Sequence, residues 1–79
     1  MKIGVRVMPK REVLDSQGRA VERLLNHHGK AVQECRVGKF VELHVDANSR
    51  EEAEQKAREI TEFVLFNPLI ETYDIEFME

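Results

Sequence analysis

With 79 residues the chain has room for one small domain, spanning 1–79. Its 12 basic and 15 acidic side chains leave a net charge of −3, which argues against a general nucleic-acid surface. No apolar run approaches the roughly 18 residues of a membrane span, and a single cysteine excludes an internal disulfide, so oligomerisation or partner binding is left to stabilise a core of this size.

The chain enters a strand at once. Lys2 to Met8 alternates, with Ile3, Val5 and Val7 on one side. No signal-peptide core precedes it, which makes a cytoplasmic protein the expectation. Pro9 lacks an N–H and ends the strand. Val13 and Leu14, in the connection, are expected to tuck under the first helix. That helix is capped by Asp15 or Ser16 and runs to about His28, with Val21, Leu24 and Leu25 at helical spacing. Gly29 suits the left-handed residue that closes it.

Val32 to Asp46 reads as a β-hairpin around Gly38. A three-residue loop, Gly38 to Phe40, sets Val37 opposite Val41 and Cys35 opposite Leu43. It also sets Arg36 opposite Glu42 and Glu34 opposite His44, separating an apolar face from a charged one. Ser49-Arg50-Glu51-Glu52 is a capping box that opens the second helix. Ala53, Ala57, Ile60 and Val64 form its apolar stripe, widened by Phe63. Glu52–Lys56 and Glu54–Arg58 are favourable i,i+4 pairs. Asn67-Pro68 stops the helix. Tyr73, Ile75 and Phe77 alternate with charged residues in the last strand.

The order is therefore β-α-β-β-α-β. The expected fold is α+β: a ferredoxin-like two-layer sandwich, with a four-stranded antiparallel sheet and two helices on one face. Its core would comprise Ile3, Val5, Val7, Val21, Leu24, Leu25, Cys35, Val37, Val41, Leu43, Val45, Ile60, Val64, Ile75 and Phe77. The uncovered sheet face would carry Arg6, Met8, Glu34, Arg36, Glu42, His44, Asp74, Glu76 and Met78.

No catalytic constellation emerges. Cys35 points inward in this register, away from His44, and reads as a packing residue. Adjacent His27 and His28 point about 100° apart on a helix and suit its negative end better than a metal. The carboxylates are scattered, the four glycines form no phosphate loop, and no residue is assigned to catalysis, cofactor or metal. Gly38-Lys39-Phe40-Val41 faintly suggests an RNA-recognition strand. The first strand has no aromatic to stack a base, so nucleic-acid binding is not expected. The residues alone describe a domain that works through its surfaces.

Four segments carry a family resemblance: Val13-Leu14-Asp15-Ser16-Gln17-Gly18, Val37-Gly38-Lys39-Phe40-Val41-Glu42-Leu43, Ser49-Arg50-Glu51-Glu52-Ala53 and Asn67-Pro68-Leu69-Ile70-Glu71. In order and spacing the chain resembles the PurS subunits of phosphoribosylformylglycinamidine (FGAM) synthase over nearly its whole length. His27-His28 departs from the family pattern. The resemblance implies a small non-catalytic subunit of a ligase in purine biosynthesis. That ligase makes formylglycinamidine ribonucleotide from formylglycinamide ribonucleotide, ATP and glutamine. The resemblance also implies partners: a PurL-type synthetase subunit, which uses the ATP and Mg, a PurQ-type glutaminase subunit, and a second copy of the chain. The small subunit would join the other two and assist ammonia transfer. Arg36, Gly38, Lys39, Phe40, Asn67, Pro68 and Leu69 match the family without an obvious core role, and are the expected partner surface. Turn punctuation is the competing reading of Gly38 and Pro68. A small-molecule-binding regulatory domain of ferredoxin-like fold is the alternative function, because this architecture hosts many activities.

Overall fold

The computed structural model describes residues 1–78. Strand β1 (Lys2–Pro9) lies at the centre, flanked by β2 (Lys39–His44) and β3 (Glu71–Phe77), both antiparallel to it. Helix α1 (Ser16–His27) follows β1. Helix α2 (Arg50–Ile60) follows β2 and runs into a π-helical turn, Thr61–Leu65. Among the described residues the sheet thus has three strands, not the expected four.

The missing strand has a physical cause. A hairpin with a three-residue loop needs a left-handed residue in its turn. Among the described residues only Gly29 has positive φ, at 77°. Gly38 instead passes straight along β1, so close that an added Cβ would overlap the Val7 carbonyl oxygen and the Met8 sulfur. The backbone N–H of Val37 donates to Asp15 Oδ2 at 2.8 Å, and the Arg36 guanidinium donates to the Pro9 carbonyl. These bonds hold residues 36–38 beside the end of β1 instead of folding them back on β2. Residues 32–37 form no strand, so Cys35 does not face Leu43.

Register sorts the side chains. Val5 lies opposite both Val41 and Ile75, and Ile3 opposite both Leu43 and Phe77. Ile3, Val5 and Val7 are fully buried, on the face that α2 covers with Ala53 and Ala57. Ser49 caps α2 by accepting from the Glu52 N–H at 3.1 Å, and the Glu52 carboxylate reaches back to the Asn48 N–H at 2.9 Å. The Glu54–Arg58 pair closes at 2.6 Å and Glu52–Lys56 at 3.7 Å.

Helix α1 forms where expected. Asp15 Oδ1 accepts the Gly18 N–H at 2.9 Å, and Gly29 follows the last turn in left-handed geometry. The helix does not join α2 on the sheet. It stands off with residues 31–38 running back along it, joined by Val32 N–H to Asn26 Oδ1 at 2.9 Å. Val21 and Leu24 of the expected core are therefore exposed, and Ile60 and Val64 are exposed as well. Leu25, Cys35 and Val37 are half-buried. The result is long and thin, 50 × 28 × 14 Å, with a radius of gyration of 15.6 Å. A compact chain of this length would have about 11.6 Å.

Candidate functional site

The turn before α1 and the segment after it meet at one junction. Asp15 carries both sides, with one carboxylate oxygen on the helix N-terminus and the other on Val37. Those two backbone donors, helped by Arg36, hold the carboxyl below its ordinary pKa, against the opposing effect of partial desolvation. Gly18 is required there, because a Cβ would strike Asp15 and the Cys35 carbonyl. The 67–71 turn reaches the same end of the sheet. Its Asn67 carbonyl accepts from Ile70 and Glu71, its side chain accepts from Leu69 N–H at 3.0 Å, and the Ile70 carbonyl accepts from Lys10 N–H at 2.8 Å.

Between these parts lies a groove of about 370 Å³, with Val7, Val13, Leu14, Val37 and Ile70 on its walls. Gly38 and Lys39 line it from β2's start. The expected partner surface is thus gathered only in part. Lys39 pairs with Val7 and so lies on the α2 side of the sheet, whereas Phe40 pairs with Arg6 and lies on the bare side. The Phe40 ring is 47% exposed; it sits over Gly4, with the Arg6 guanidinium 5.8 Å from its centroid. Arg36 is spent partly on Pro9. Gly38 serves backbone packing. Leu69 is 81% exposed at the turn, beside exposed Asn67 and Pro68.

Other exposed apolar residues lie outside the expected surface. Phe63 is 88% exposed and Val64 66%. Helical spacing assigns both to α2's apolar stripe. Thr61, one turn past Ala57, is the last buried residue of the stripe and donates to the Ala57 carbonyl at 2.7 Å; the π-helical turn that begins there adds a residue to the repeat and rotates Phe63 and Val64 off it. Leu14, expected to tuck under α1, is also exposed. The Ala53-Ala57-Thr61 spacing is the signal that could have found the true stripe.

Cys35 is half-buried, and His27 and His28 stack edge to face at 5.3 Å on the exposed end of α1. Among the described residues no three His, Cys, Asp or Glu side chains converge to hold a metal, and no helix is long and apolar enough to cross a membrane. Tyr73 donates to Glu62 at 2.8 Å; desolvation and that bond raise its pKa.

Residues 2–79 match the family model described as PurS: Phosphoribosylformylglycinamidine (FGAM) synthase. The PurS subunit of Bacillus subtilis FGAM synthase is 37% identical over 79 residues, covering 99% of this chain and 93% of that one. The crystal structure of the Thermotoga maritima PurS subunit superposes with a TM-score of 0.92 at 31% identity, over 98% of this chain and 90% of that one. A chain in the structure of Thermotoga maritima PurLQS gives 0.91 at 29% identity, over 98% and 95%. Junction, turn and capping segments thus sit in a fold held in common along the whole chain, which belongs to the PurS family of FGAM synthase.

Proposed function

We propose that this chain is the small non-catalytic subunit of an FGAM synthase, joining a PurL-type synthetase to a PurQ-type glutaminase and assisting ammonia transfer in the cytoplasm. ATP and Mg would act on the PurL-type partner. The chain would work as one unit, associated with a second copy of itself. The observation that carries this reading is surface. The accessible area is 5946 Å², whereas a compact monomer of this mass exposes about 4,900 Å². The excess, roughly 1,000 Å², matches one side of a standard interface, about 800 Å². It arises where α1 leaves its own sheet and strands Val21 and Leu24, and where Ile60 and Val64 lie bare at the end of the other helical segment. The PurLQS assembly of the Thermotoga relative supports the choice of partners.

Lys39, Phe40 and the Asn67-Pro68-Leu69 turn are assigned to partner contact, with Arg36 at their margin. Reconstitution tests the function. Glutamine-dependent synthesis should return only when this chain is mixed with the large and glutaminase subunits; full activity without it rejects the role. Lys39→Ala with Phe40→Ala should weaken assembly on a sizing column while leaving the fold intact. Undiminished assembly would remove those two residues from the interface.

A further inference from the structure

Next to the Val7 groove, and sharing Pro9, Val13, Leu14 and Asp15 with it, lies another hollow, of about 490 Å³, between residues 9–11, α1 and residues 34–36. Five cationic side chains line it in a chain whose net charge is −3. Its own carboxylates do not balance them. Asp15 is occupied by two backbone N–H groups, and Glu34 by Arg11 at 3.2 Å. Lys10, Arg19 and Arg23 make no ion pair among the described residues, and only Glu22 in this hollow and Glu12 in its continuation remain to face them. Arg19 and Arg23 are one turn apart on α1, a like-charge spacing that weakens the helix unless an outside anion relieves it.

A second hollow of about 460 Å³ shares Pro9, Lys10, Arg11 and Arg36 with the first, so the channel continues around the turn. Lys10, Arg11 and Arg36 line both hollows and Arg19 and Arg23 the first alone, so the cations are spread over the length of this path. The one helix N-terminus nearby is already capped by the Asp15 carboxylate. Both features disfavour a compact phosphate, which needs converging donors, and favour an extended chain with spaced charges. We propose that this basic channel seats an acidic segment of another subunit of the complex, its Asp and Glu side chains pairing with Lys10, Arg19 and Arg23. The assignment rests on the docking role above and names the chemistry of one contact.

Arg19→Glu with Arg23→Glu tests it, measured as binding of the intact chain to each purified partner at several salt concentrations. Affinity for one partner should fall at least about tenfold, with a flatter salt dependence. Should the reversal disturb folding, as read by circular dichroism, Arg19→Gln with Arg23→Gln should give a smaller loss in the same direction. A carbodiimide, which condenses an amine with a carboxylate and releases water as the urea, should join Lys10 to an Asp or Glu of that partner; Lys10→Arg should bind but fail to cross-link. Affinity within about twofold of wild type, or Lys10 linked only to a second copy of this chain, overturns the proposal. So does inorganic phosphate that stabilises the wild type but not the variant while partner affinity stays unchanged. Wild-type chain that binds neither partner would instead overturn the docking role itself.

Discussion

Asp15 holds two backbone amides at once, and its acidity records it. Because the folded pKa is depressed below 3.8, its contribution to stability is complete above that value and is lost as pH falls through the folded pKa. Asp15→Asn should therefore lower the melting temperature at pH 7, and the gap from wild type should close in acid. A gap that stays constant from pH 7 to strongly acidic solution would show that the carboxylate's charge is not what matters. Gly38 is the matching steric case. Gly38→Ala must displace β1's backbone at Val7, and overpacking of this kind costs about 1–3 kcal/mol, readable by urea titration. At this scale the sequence is partly legible. Asp15 is recognisable as a cap because the cap is local; its second bond, to Val37 across 22 positions, has no local signature. Gly38 is recognisable as special, but glycine serves turns and close approaches alike, and only the second is realised.

Helices are the most readable elements, since their signals lie within one turn of the chain. Ser49 caps α2 as the capping box implies, and Ser49→Ala should cost about 1 kcal/mol in chemical denaturation. Both strands flanking β1 are evident from alternation. Residues 32–37 alternate in the same way and yet form no strand, because β1's two edges are taken and the chain never turns back toward β2's free one. Periodicity reports which face a segment would present, not whether a neighbour exists to pair with it. The π-helical turn is equally hidden: one extra residue leaves composition unchanged and moves Phe63 from stripe to solvent.

At the scale of the molecule, the departure of α1 from the sheet decides behaviour. A chain that leaves Val21, Leu24, Ile60 and Val64 exposed should be stabilised by association. Its melting temperature should rise with protein concentration, as binding linkage requires. Leu24→Glu should flatten that dependence, and a wild-type melting temperature that ignores concentration would refute association through these surfaces. How the second layer of the fold is completed is not readable at all, because the apolar stripe of α1 is the same whether it meets its own sheet or another surface.

The bare side of the sheet has a consequence of its own. Arg6 bridges to Glu76 at 2.7 Å and Lys2 to Glu42 at 3.8 Å, and Glu42 lies in hydrogen-bond contact with His44 at 2.9 Å, so charged and polar groups tile a surface no helix shelters. Two such tiles brought flush would each have to shed bound water for little return. That face therefore resists stacking on a second copy of itself, and association is left to the apolar surfaces on the helical side.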